Sequence, residues 1–238
     1  ARTDKYFVKQ QQREVILNAL FVVDCSNSMG YCGSKAVMSK LSYAAELTAA
    51  VSYIILHQGD AAGLLTFSQS TKLHASPGRN PGQLALLMNR FSSLVPIPEE
   101  KTGYAEAVSK AAALVGKRAF IVLATDLWGA TEDTQSALTR LAAHGHDISI
   151  IQVLDPDELN LPFSQPVNLA GMEGEGSMYV NPSLIREDYR IAAKEFIDSW
   201  RLFCGRHGID FMTVTTDRST SSVLSEFVSR RHRRRRLK

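Results

Sequence analysis

The sequence predicts an α/β fold, a mostly parallel sheet with one antiparallel edge strand and helices on both faces. Three observations predict it. Nearly continuous apolar runs such as Ala19-Leu20-Phe21-Val22-Val23 are strand-sized and suit strands buried on both faces. These runs alternate with helical patterns of roughly 10 to 25 residues, the rhythm of a covered parallel sheet. The 238 residues fit one enlarged domain that buries a full core without disulfide or metal staples.

The elements follow in order. Val15 to Asp24 is the first buried strand, and Ser34 to His57 is a helix with Val37, Leu41, Ala44, Leu47, Val51 and Ile55 mostly three or four apart. Gly59-Asp60 ends that helix, Ala61 to Phe67 is a second strand, and Thr71 to Ala75 returns as a short antiparallel edge. Turn chemistry at Pro77-Gly78 and Asn80-Pro81-Gly82 precedes a helix ending near Leu94. Helices are expected over Gly103 to Val115 and Thr131 to Ala143, with buried strands over Arg118 to Thr125 and Asp147 to Leu154. Asp155 to Pro182 breaks the rhythm, and Val167 to Val180 within it reads as a β-hairpin. Pro182 to Arg206 is a long amphipathic helix, Ile209 to Thr215 the last strand, and Ser219 to Ser229 the last helix.

Composition narrows the function classes. The net charge of +3 comes from the end of the chain. Arg230 to Lys238 holds six Arg and one Lys, and the remainder carries 20 basic against 24 acidic residues. An acidic body does not give a nucleic-acid footprint over the whole protein. The basic end is expected to be a disordered, solvated tail, with contact to anionic lipid or nucleic acid as its sharper reading. Residues 1–229 form the expected single domain. Cys25, Cys32 and Cys204 make no CxxC pair and are odd in number, which argues against a disulfide framework and for a reducing, cytoplasmic setting. Ala1 to Glu14 is polar, without a signal-peptide pattern, and no apolar run is long enough to span a membrane. A first residue Ala1 is expected of a fragment or processed product, which leaves an upstream anchor open.

In open parallel sheets ligands sit beyond the carboxyl ends of the strands. After the first strand stands Asp24-Cys25-Ser26-Asn27-Ser28-Met29-Gly30, and after the third Thr125-Asp126-Leu127-Trp128-Gly129. Lys101-Thr102-Gly103 adds a hydroxyl at a helix start. Each piece alone has an ordinary reading, as a turn, a cap or a polar strand end. Together they place hard oxygens on one rim, a donor set suited to Mg²⁺ or Mn²⁺. With only two carboxylates, the set has room for one more anionic oxygen from a partner. His144 and His146 flank a turn and read as solvent-facing, while Glu173 and Glu175 read as a flexible acidic loop.

Asp24-x-Ser26-x-Ser28, Thr102 with Ala107-Val108 after it, and Asp126 resemble the metal-ion-dependent adhesion site of von Willebrand factor A domains. One bacterial branch, the family known as domain of unknown function fifty-eight, is resembled more closely. Ala1-Arg2-Thr3 with Tyr6-Phe7-Val8-Lys9, His144-Gly145-His146-Asp147, and Asp155-Pro156-Asp157-Glu158-Leu159 with Leu161-Pro162-Phe163 carry that likeness. The resemblance implies a three-layer, Rossmann-like von Willebrand factor A sandwich. It implies Ser26, Ser28 and Thr102 as direct metal ligands, with Asp24 and Asp126 direct or acting through water. It also implies association with a MoxR-type AAA+ ATPase. The third loop departs from the Asp-Gly of many A domains, since Leu127 follows Asp126.

The expected function is therefore a divalent-metal-dependent protein-interaction module. A partner Glu or Asp would complete the metal shell, and Asn27, Met29 and Trp128 would form the contacting rim. The chain is expected not to be an enzyme, because no Ser-His-Asp order or glycine-rich phosphate loop is present. The enzymatic alternative is a metal-dependent phosphoester hydrolase using Asp24 or Asp126 as base or nucleophile.

Overall fold

A computed structural model describes residues 16–98, 102–116, 118–170 and 177–236. The expectations placed on Ala1 to Val15, Lys101, Glu173 and Glu175 lie outside those residues. The strands are β1 (Asn18–Asp24), β2 (Ala61–Phe67), β3 (Thr71–Gly78), β4 (Phe120–Thr125), β5 (Asp147–Leu154), β6 (Val167–Ala170), β7 (Ser177–Val180) and β8 (Asp210–Thr215). The helices are α1 (Lys40–His57), α2 (Gln83–Ser92), α3 (Tyr104–Leu114), α4 (Glu132–Ala143), α5 (Pro156–Asn160), α6 (Pro182–Arg206) and α7 (Thr220–Arg236). A short 3₁₀ turn covers Asn27–Gly30.

Six strands form one sheet in the order β3-β2-β1-β4-β5-β8, and β3 alone runs antiparallel to its neighbour. This is the predicted α/β class with its antiparallel edge. β1 is central because both its faces are apolar. Ala19, Phe21 and Val23 join the core under α1, α2 and α7, while Leu20 and Val22 join the core under α3, α4 and α6. That alternation follows from the two-residue repeat of a strand. The register aligns Asp24 with Phe67 of β2 and Val23 with Ala124 of β4. Asp24 and Thr125-Asp126 thereby reach the same rim.

Two helix boundaries differ from expectation. α1 starts at Lys40, capped by the Ser39 hydroxyl, which accepts from Ser42 N–H. Residues 33 and 34 lie outside it, tied by their N–H groups to Asp155 and Asp157. α7 runs on to Arg236, so the basic end through that residue is helical and not a disordered tail. The reason is electrostatic. Arg230 donates to Asp210 at 3.1 Å and to the Phe211 carbonyl at 2.9 Å. Arg231 donates to Asp147 at 2.9 Å, and its guanidinium lies 3.4 Å from the centre of the Phe120 ring. Arg234 reaches the Gly208 carbonyl. Asp147 and Asp210 open β5 and β8, so carboxylates at the amino ends of two strands receive arginines from the last turns of α7. Cations there also oppose the negative end of the helix dipole.

The hairpin expected over 167–180 is present as β6 paired with β7. The excursion also contains α5, too short to show helical periodicity, yet fixed by a capping box in which Asp155 and Glu158 exchange hydrogen bonds with each other's backbone region. No described helix is long and apolar enough to cross a membrane.

The docking of α7 makes a measurable prediction. Arg231→Ala should lower unfolding free energy by about 1–2 kcal/mol through loss of the ion pair and the ring contact. Arg233→Ala, at an exposed position on the same helix, should leave the urea midpoint unchanged.

Candidate metal centre

The rim is built from three loops at the carboxyl ends of β1, β2 and β4. Asp24 is fully buried. Its Oδ1 accepts from Ser26 N–H at 2.8 Å and its Oδ2 from the Thr125 hydroxyl at 2.6 Å. Ser26 Oγ lies 3.1 Å from Ser28 Oγ, and Ser28 Oγ donates to Asp126 Oδ2 at 2.8 Å. Asp126 is also fully buried, and its Oδ1 accepts from Trp128 N–H at 3.0 Å and from the Tyr104 hydroxyl at 3.4 Å. Four of the five predicted ligand residues thus form one connected set.

Thr102, the fifth, stands half-buried just before α3. The next residue, Gly103, donates its N–H to the Ser68 carbonyl just beyond β2. A Cβ at Gly103 would meet the Gln69 carbonyl oxygen at 2.6 Å, so this close approach requires glycine. Thr102 is thereby held at the same end of the sheet. A parallel bridge between Ser26 and Ile97 lays the 94–98 segment along the first loop.

The electrostatics follow from burial. Desolvation, and then the Asp126 charge, push the Asp24 carboxyl from 3.8 to about 7. Two carboxylates meet where water is excluded, and a cation is the direct remedy. Lys40, the first residue of α1, supplies one. Its Nζ lies 2.8 Å from Asp126 Oδ2 and 2.5 Å from Glu158 Oε1, with no side-chain exposure. Burial alone would lower the ammonium's pKa, but the Asp126 and Glu158 carboxylates outweigh it and hold the value above the ordinary one.

Sequence reasoning missed Lys40, placing it inside an ordinary helix. One available sign was its position directly after a cap residue, where the positive end of the helix dipole disfavours a cation. It also missed the role of the loop after β5. Asp155 Oδ2 accepts from Gly33 N–H and the Thr216 hydroxyl, while Asp157 accepts from the N–H and hydroxyl of Ser34. These carboxylates strap the continuation of the first loop onto β5. A Cβ on Gly33 would lie 2.1 Å from Asp155 Oδ1, so nothing larger than hydrogen fits.

The rim residues divide. Asn27 is half-buried at the start of the 3₁₀ turn. Met29 is a correction, being fully buried in the core beneath α1 and unavailable to a partner. The turn that points Ser28 toward Asp126 points Met29 inward. Trp128 does reach the rim, half-buried, with its ring stacked 4.7 Å from that of Phe196 on α6. Leu127 adopts φ 63°, a left-handed conformation that glycine takes at no cost, and its buried side chain anchors the turn in the core. Cys25 is buried and its thiol is pushed up to about 12, chiefly by burial, so it offers no thiolate ligand.

The donor set suits a small divalent ion. Hydroxyl and carboxylate oxygens are the ligands Mg²⁺ and Mn²⁺ prefer. The 3.1 Å between Ser26 Oγ and Ser28 Oγ is close to the edge of an octahedron, about 3 Å for bonds of about 2.1 Å. No group of three or more His, Cys, Asp or Glu arranged for a metal occurs among the described residues. Any ion here would therefore depend on the hydroxyls.

The strand order, the antiparallel edge and helices on both faces define a von Willebrand factor A-like domain. Within that class the chain belongs to the family described as "Protein of unknown function DUF58", which matches residues 1–196. No curated protein matches the chain. Solved structures sharing the fold include a conserved hypothetical protein, BatB, from Bacteroides thetaiotaomicron. It shows 17% identity and a TM-score of 0.57 over 90% of this chain and 98% of that one. An aerotolerance-related membrane protein from Bacteroides fragilis gives 15% identity and a TM-score of 0.59 over 88% and 96%. The pilus adhesin SpaC from Lactobacillus rhamnosus GG gives 10% identity and a TM-score of 0.54 over 92% of this chain and 30% of that one.

Two outcomes follow from the geometry. A raised Asp24 pKa means that its stabilising contribution is complete below pH 3.8 and is lost as pH rises through about 7. In chelator, denaturation midpoints should therefore fall over that window, and Asp24→Asn should flatten the decline. Gly33→Ala should cost about 1–3 kcal/mol by forcing the strap apart, read from the same denaturation curves.

Proposed function

We propose that this chain is a divalent-metal-dependent protein-recognition domain. Asp24, Ser26, Ser28, Thr102 and Asp126 would hold Mg²⁺ or Mn²⁺, and the ion would supply a Lewis-acidic position open to a partner's Glu or Asp. The observation that carries this reading is the continuous chain of hard oxygens, Ser26 to Ser28 to Asp126, drawn from two strand ends onto one rim. Asp24 and Thr125 brace that chain from beneath. Around it, Asn27 and the uncovered part of Trp128 offer contact surface beside the acidic side chain of the partner. A MoxR-type AAA+ ATPase is the partner class that the family resemblance brings to this reading, in an adaptor or assembly role.

The hydrolase alternative draws on one feature, the Asp24 carboxyl held near neutrality, where a general base works best. Against it, both Asp24 oxygens already accept hydrogen bonds and the residue is fully buried. Asp60 is no substitute, since its Oδ1 accepts from Leu17 N–H at the opposite end of the sheet. Binding to anionic lipid or nucleic acid through the basic end is weakened by the intramolecular contacts of Arg230, Arg231 and Arg234.

Calorimetric titration with Mg²⁺ and Mn²⁺ tests the proposal. Wild type should bind one ion, and Ser26→Ala/Ser28→Ala should weaken binding by roughly tenfold or more, since each deletes a direct ligand. Capture of an acidic partner should be lost in chelator. Titration without heat of binding, or capture that persists in chelator, overturns the adhesion reading. Turnover of a generic phosphoester that disappears in Asp24→Ala would favour the hydrolase instead.

A further inference from the structure

We propose that Lys40 is the resident counter-ion of the rim, a positioning residue that holds Asp126 in place and sets how tightly a divalent ion binds there. This rests on the reading of the rim as a metal centre and concerns what tunes it. The ammonium and the Ser28 hydroxyl meet on one oxygen, Asp126 Oδ2, each at 2.8 Å. A cation and a candidate ligand are thus attached to the same atom. No side-chain surface of Lys40 is exposed, so water does not screen it, and it bridges Asp126 to Glu158 on α5. Its helix position is electrostatically unfavourable by itself, so these two carboxylates are what hold it there.

A count of charges gives the direction of the effect. Above the Asp24 value of about 7, the carboxylates of Asp24, Asp126 and Glu158 with the Lys40 ammonium sum to a net charge of −2, matched to a divalent ion. Removing the lysine charge leaves −3, and removing the glutamate charge leaves −1. Removing both restores −2. Charges this close act strongly where water is excluded, and roughly tenfold in affinity per charge is the expected scale.

The experiment titrates Mn²⁺ alone into four proteins at one ionic strength and one pH above 7, where Asp24 is ionised, and also measures the thermal shift it produces. Relative to wild type, Lys40→Met should bind Mn²⁺ about tenfold tighter and Glu158→Gln about tenfold weaker, with Lys40→Met/Glu158→Gln close to wild type. The chelated Lys40→Met protein should be the least stable and should gain most from Mn²⁺. Loosened packing would weaken binding in every variant, so opposite shifts and their cancellation isolate charge from structural damage. If Lys40→Met does not fold, Glu158→Gln and the double variant still carry the test. Weaker binding in all variants, or affinities equal to that of a metal-binding wild type, overturns the counter-ion role while leaving the metal centre standing. A wild type and variants that all fail to bind Mn²⁺ overturn the metal centre and this proposal together.

Discussion

The structure depends on the burial of two carboxylates at the ends of adjacent parallel strands. Asp24 and Asp126 are brought to one rim by the register of β1 with β4, and neither reaches solvent. Burying a charge is costly unless it is paired and hydrogen-bonded. The surrounding elements meet that requirement. Thr125 and the Ser26 N–H satisfy Asp24, while Ser28, Trp128 N–H and Lys40 satisfy Asp126. The donors come from three separate stretches of chain, so one electrostatic demand fixes the first loop, the third loop and the start of α1.

The loop after β5 extends the same logic outward. Asp155 and Asp157 bind residues 33 and 34, and Glu158 shares Lys40 with Asp126. The Asp-Pro-x-Glu pattern thereby has a physical reason within this chain. Proline at the first helical position is preset for the turn, and the three acids face three separate donors of the first loop and α1. What looks in sequence like an irregular interruption is the far wall of the rim.

Much of this is legible in the sequence alone. The buried strands declared themselves as apolar runs, and α6 has the bounds its pattern gave, because capping by Asn181 and Pro182 is a local property. Asp24, Ser26, Ser28 and Asp126 were legible because strand ends and hydroxyl spacing are local too. Lys40 was not, since its meaning lies in contacts with residues 86 and 118 positions away. Met29 neighbours the ligand residues in sequence but not in space, as a tight turn sends neighbours in opposite directions. The arginine run looked solvated because its acidic partners, Asp147 and Asp210, open strands far back in the chain.

The three cysteines carry a practical consequence. Cys25 and Cys204 are buried, and burial pushes both thiols up to about 12, whereas Cys32 is exposed. Thiolate is the reactive form, so a maleimide or nitroxide at mild pH has one address. That address adjoins Gly33, where the first loop is clamped against Asp155 and Asp157. A probe attached there would sit beside the strap, outside the oxygen cluster, and could follow movement of the loop without occupying the rim.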